Sequence, residues 1–115
     1  MTDTSERVRQ TLLTFPGIVE STAYGSPIFK IGKTMIARFR DDGVMVLKVD
    51  AMTRDVMLDT EPAAYFLEDH YRPHPLVLVR ILLAEPHRLN ALMEQCWKEL
   101  APKRLVGSRL GKPPC

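Results

Sequence analysis

Hydrophobic positions change their period along this chain, and the changes mark out its elements. Val8, Leu12 and Phe15 recur at intervals of three to four residues, which puts them on one side of a helix. Asp3 followed by Glu6 has the spacing of a capping box, and Pro16-Gly17 stops the helix after Thr14. From Ile18 the period becomes two. Short segments at 20–24, 27–31, 34–40 and 44–49 are separated by Gly25-Ser26, Gly32-Lys33 and Asp41-Asp42-Gly43, residues suited to tight turns. An antiparallel meander is predicted.

Asp50 is placed to cap a helix over 51–58, and Pro62 prevents that helix from running on. A short strand is predicted at 63–67, a loop with Pro73 and Pro75 at 68–75, and a well-buried strand at 76–83. Glu85-Pro86 opens the strongest helical pattern, in which Leu89, Leu92, Met93, Cys96 and Leu100 form one stripe. A further turn is expected at 103–106. Without a regular βαβ alternation, these elements describe an α+β domain of two layers, an antiparallel β-sheet with flanking helices, in the order roughly α-β-β-β-α-β-β-α. The helices should cover one sheet face only.

Strand alternation assigns the remaining side chains to faces. Met35, Ala37 and Phe39 are expected in the core, opposite Ile36, Arg38 and Arg40. By the same parity one face collects Lys30, Arg38, Arg40, Lys48 and Arg80, with no acid on these strands. Guanidinium and ammonium groups at such spacings suit phosphate oxygens, and nucleic acid is the natural polyanion. The same face also carries Ile28, Ile36, Val44, Val46, Leu76, Leu78 and Leu82. If exposed, these would form an interface-sized apolar patch, so a homodimer or a second covering layer competes with DNA for this face. A solvated charged surface is the plain alternative.

The 115 residues suffice for one core, and 45% apolar with 26% charged residues excludes disordered, collagenous and disulfide-stapled classes. A single domain over 1–106 with a basic tail at 107–115 is expected. Residues 101–115 hold Lys103, Arg104, Arg109 and Lys112 without an acid, so the rest of the chain is slightly acidic although the total is +2. The longest apolar run, 75–84, is interrupted by Arg80 and is too short to span a bilayer. The polar start, with both charge signs, lacks the pattern of a secretory leader, which makes a cytoplasmic location the expectation.

Chemistry for catalysis is sparse. His70 and His74 are four apart, but Pro73 and Pro75 oppose the helix that would make them metal ligands. Cys96 belongs to an apolar stripe and Cys115 ends the chain, so two free thiols are expected, the first buried and inert. No nucleophile elbow or phosphate loop is present, and Gly32-Lys33 is more simply a hairpin turn. Neither an enzyme, nor a cofactor, nor a metal site is expected.

Several motifs in order resemble the MmcQ/YjbR family. They are Phe15-Pro16-Gly17-Ile18-Val19-Glu20-Ser21, Tyr24-Gly25-Ser26-Pro27-Ile28-Phe29-Lys30, and Gly32-Lys33-Thr34-Met35-Ile36-Ala37. Val46-Leu47-Lys48-Val49-Asp50, the late strand at 76–81, and Cys96-Trp97 leading to Ala101-Pro102-Lys103-Arg104-Leu105 continue the match. One departure is Pro75-Leu76-Val77, where many relatives carry a tryptophan. The resemblance implies a compact α+β fold similar to secretion-chaperone-like domains and a DNA-binding role. Within its motifs it carries over Lys30, Lys33, Lys48, Lys103 and Arg104, whereas Arg38, Arg40 and Arg80 come from strand parity alone. The expected partner is double-stranded DNA, gripped through phosphates with weak sequence preference. A protein-interaction or chaperone-like module using the same sheet face, for a homodimer or another partner, is the second expectation, and no membrane contact is expected.

Overall fold

A computed structural model of the chain describes residues 4–23 and 25–104. Helix α1 (Thr4–Thr14) buries Val8 and Leu12, and the chain turns at Pro16-Gly17 into strands β1 (Ile18–Ala23), β2 (Ser26–Ile31), β3 (Thr34–Phe39) and β4 (Val44–Lys48). Helix α2 (Ala51–Thr60), strand β5 (Tyr65–Phe66), a 3-10 turn (Asp69–Tyr71), strand β6 (Leu76–Arg80) and helix α3 (Pro86–Leu100) follow. All four segments predicted between the first two helices form strands, the first over Ile18–Ala23, one more than the rough element order counts. Asp3, Tyr24 and the tail from 105 onward lie outside the described residues, so the capping box and most of the turn expected at 103–106 do as well.

Two acids cap helices, Asp50 as predicted and Glu85 at the predicted start of α3. The Asp50 carboxylate accepts from Thr53 N at 2.7 Å, and the Glu85 carboxylate accepts from His87 N and Arg88 N at 3.2 and 2.8 Å. Each acid satisfies backbone donors that a helix start leaves unpaired and sits at the positive end of the helix dipole. Both carboxyls are held below their usual range, Asp50 by its hydrogen bonds to Thr53 and Glu85 by those to Arg88 and His87.

All strands pair antiparallel in one six-stranded sheet of order β1-β2-β3-β4-β6-β5. Three helices pack on one face, as expected. Val8 and Leu12 of α1, Met57 of α2 and Leu89, Leu92, Met93, Cys96 and Trp97 of α3 join Phe29, Ala37, Phe39, Met45, Leu47, Val77 and Val79 in a single core. Trp97 pins the end of α3 to the start of β1. It is fully buried, its ring stacks on Phe15 with centroids 5.6 Å apart, and its Nε1 donates to Pro16 O at 2.9 Å.

One parity expectation fails. Pairing between β2 and β3 steps from Phe29 opposite Ala37 to Lys30 opposite Met35, which leaves Ile36 without a partner on β2. This bulge reverses the alternation for the first part of β3. Ile36 turns into the helical core and is fully buried, while Met35 stands half-buried beside Lys30 on the opposite face.

Candidate nucleic-acid interface

Register alone fixes what stands on the face away from the helices. Ser21, Ile28, Arg38, Val46, Leu78 and Phe66 form one row across the six strands. A second row runs through Val19, Lys30 and Met35, with Lys48 opposite Leu76 on the next pair of strands. At the other end of the sheet Val44 lies opposite Arg80, and Arg40 N donates to Val44 O at 2.8 Å. Five basic residues therefore do share a face, but they divide into two groups with different surroundings.

Arg38, Arg40 and Arg80 are engaged in holding structure. The Arg38 Nη2 donates to the Tyr71 hydroxyl at 3.0 Å. Arg40 grips Asp42 through its Nε at 3.1 Å and an ion pair at Nη2, and reaches Glu68 through Nη1 at 3.1 Å. The Asp42 carboxyl is held low by Arg40 and the guanidinium is raised in turn, first by its bond to Asp42 and then by Glu68. The Arg80 guanidinium lies 3.9 Å from the Phe66 ring centre and donates to Ala63 O at 3.3 Å.

These contacts fasten the segment 66–75 over the sheet. Phe66, Tyr71 and Leu76 pack on Val44, Val46 and Leu78, which are buried although no helix covers them. From α2, Arg54 Nη1 donates to Arg72 O and His74 O at 3.5 and 3.2 Å, which fixes the far end of the segment. The apolar residues that made this face look like an interface are thus mostly satisfied within the chain. Ile36 is removed from the face by the bulge, Ile28 is buried, and Leu82 alone of that set is fully open to solvent. Sequence reasoning missed Tyr71, Phe66 and Glu68. Their signal was the run of alternate apolar residues on β4 and β6, which demanded a cover that only the intervening loop could supply.

The second group is Lys30 and Lys48, and the other basic residues of the motifs, Lys33, Lys103 and Arg104, are considered with them. Among the described residues none of the five forms an ion pair. The pair Ile31 and Thr34 closes a two-residue turn in which Gly32 adopts φ 58, and this turn presents Lys33 at the end of the sheet. Lys48 ends β4 beside the start of β6 at Leu76, and Lys30 precedes the turn by two positions. Ile18 opposite Ile31 brings the start of β1 to this same end, and Trp97 ties the last turns of α3 there. Lys103 and Arg104, both exposed, follow within four residues of the end of α3. The acid Asp50 is also at this end, but its carboxylate is turned to the α2 backbone.

Lys33, Thr34, Lys48 and His74 line a groove of ≈ 360 Å³ whose apolar surface is Met35, Val46, Pro75 and Leu76. No acid lines it.

Residues considered for other chemistry lie elsewhere. Cys96 is a free thiol buried in the core, and burial pushes it up to about 12, out of the thiolate range. His70 packs edge-on against Tyr71 at 5.0 Å, and His74 lines the groove. The described residues contain no group of three or more metal-ligating side chains and no helix long and apolar enough to cross a membrane.

No family model matches this chain, and no curated protein matches it. Among solved structures it is similar to the crystal structure of Deinococcus radiodurans protein DR2400, which carries a DUF419 domain. The two superpose with a TM-score of 0.71 at 18% identity, over 95% of this chain and 88% of that one. The likeness establishes a shared α+β fold with an antiparallel sheet and flanking helices.

Proposed function

We propose that this chain is a member of the MmcQ/YjbR family that binds DNA through its phosphates, at the cationic end of the sheet. One observation carries this: Lys30, Lys33 and Lys48 stand at the end of the sheet to which Trp97 ties α3, Lys103 and Arg104 follow that helix directly, and none of the five has an ion pair among the described residues. Unpaired cations gathered at one end raise the local potential in a way that the chain's near-neutral total does not suggest. Arg38, Arg40 and Arg80 serve the site indirectly, by holding the segment 66–75 in place. Contacts to phosphates confer position and affinity rather than sequence choice, so weak sequence preference follows. Neither a catalytic role nor a cofactor is part of this proposal.

The experiment is a fluorescence anisotropy titration of a mixed-sequence DNA at several salt concentrations. Counterion release predicts a linear fall of log affinity with log salt, with a slope of about −0.7 to −0.9 for each phosphate neutralised. The expected slope corresponds to about three to five phosphates on that scale. Affinity that is absent at low salt, or indifferent to salt, contradicts the proposal.

A further inference from the structure

The groove beside the cationic turn is built for more than a phosphate. Met35 and Leu76 are both half-buried, so each shows part of an apolar side chain between Lys33 and Lys48. Thr34 and the exposed His74 form its sides. A duplex offers phosphates on its outside and keeps its bases stacked within, so it could use the two lysines while leaving the apolar surface wet. An unpaired nucleotide has both parts that the groove can reward, a phosphate and a flat base with apolar faces. The ≈ 360 Å³ available lies at the small end of the ~300–1,000 Å³ usual for ligand pockets, which suits a single nucleotide unit.

We infer that the groove between Lys33 and Lys48 seats an unpaired base against Met35 and Leu76, so that the form of DNA recognised is single-stranded. This rests on the phosphate-binding proposal above and narrows it. A strand is favoured over a free nucleotide because Lys30 stands on the same face beside Met35, and the helix that Lys103 and Arg104 follow ends on this side, so one bound phosphate would leave cations idle that successive phosphates of a strand would engage.

Anisotropy titrations of the whole chain with four probes test this: an oligothymidylate, an abasic strand of equal length, a duplex of equal length, and thymidine monophosphate as competitor. The oligothymidylate should bind about tenfold more tightly than the abasic strand or the duplex, an advantage that burying roughly 60 Å² of base face on apolar side chains supplies. Met35→Gln should erase that advantage, and Lys48→Gln should weaken both strands. Salt-dependent binding that is equal for the oligothymidylate and the abasic strand, or tighter for the duplex, overturns the single-strand inference and leaves phosphate binding standing. Thymidine monophosphate that displaces the strand at equal nucleotide concentration makes a free nucleotide the occupant and overturns it also. Absence of binding to every probe at low salt overturns both. The comparison of the probes on the unaltered protein decides the matter even if Met35→Gln fails to fold.

Discussion

The hydroxyl of Tyr71 accepts a hydrogen bond from Arg38 across 33 residues of chain, joining the middle of β3 to the 3-10 turn that covers the sheet. Another tyrosine, Tyr65, is buried with a hydroxyl that finds no hydrogen-bond partner among the described residues. Burial raises that phenol, and neighbouring Glu61 raises it further. Tyrosine-to-phenylalanine substitutions at these two positions should therefore act with opposite sign. Tyr71→Phe strands the Arg38 donor and should destabilise by about 1 kcal/mol, whereas Tyr65→Phe removes an unsatisfied polar group and should be neutral or stabilising by up to about 1 kcal/mol. Urea unfolding of both variants measures the difference, and a loss at Tyr65 as large as at Tyr71 contradicts the assignment.

The bulge in β3 makes a second prediction that simple alternation would reverse. Ile36 is fully buried in the helical core and Met35 is half-buried on the other face. Ile36→Ala should cost about 2–4 kcal/mol through lost burial and a residual cavity. Met35→Ala should cost less than about 1 kcal/mol. Denaturant midpoints at constant slope compare them directly, and equal or inverted losses would place Ile36 outside the core.

Stability should also fall on acidification for an identifiable reason. Asp50, Glu85 and Asp42 have carboxyls held below their ordinary values by the groups they bind. A carboxyl depressed in the folded state contributes stability above its unfolded value, near 4, and loses it as pH falls through the folded value. The melting temperature should therefore decline below about pH 4, more steeply than it changes between about pH 5 and 7. Asp50→Ala should lower stability at neutral pH and flatten that decline, while Asp50→Asn should retain the cap and flatten it without the same loss at neutral pH. An acid limb unchanged in both variants removes Asp50 as a contributor.

Most of the fold was legible in the sequence because local chemistry and tertiary packing agree over most of its length. Asp50 before Ala51 and Glu85 before Pro86 cap the helices they were expected to open, and the Gly32-Lys33 turn closes its hairpin. The candidate site was half legible. Parity correctly grouped Lys30, Arg38, Arg40, Lys48 and Arg80 on one face, but alternation says nothing of what lies above a face. The partners Tyr71, Glu68 and Phe66 are distant in sequence from the arginines they meet and sit in or beside a proline-containing loop without a periodic signal. A bulge is equally hidden, since both Met35 and Ile36 are apolar and either could face the core.

The central claim is a division of labour between lysines that meet DNA and arginines that hold the fold. Its most direct test is DNA affinity at low salt for two variants, Lys30→Gln with Lys33→Gln and Lys48→Gln, and Arg40→Gln alone. The triple lysine variant should keep its melting temperature and lose about tenfold or more in affinity, from about three lost phosphate contacts. Arg40→Gln should melt earlier, because Asp42 and Glu68 lose their shared partner, and should change affinity less than about twofold. Undiminished binding by the lysine variant, or a larger loss from Arg40→Gln than from all three lysines, would contradict the account.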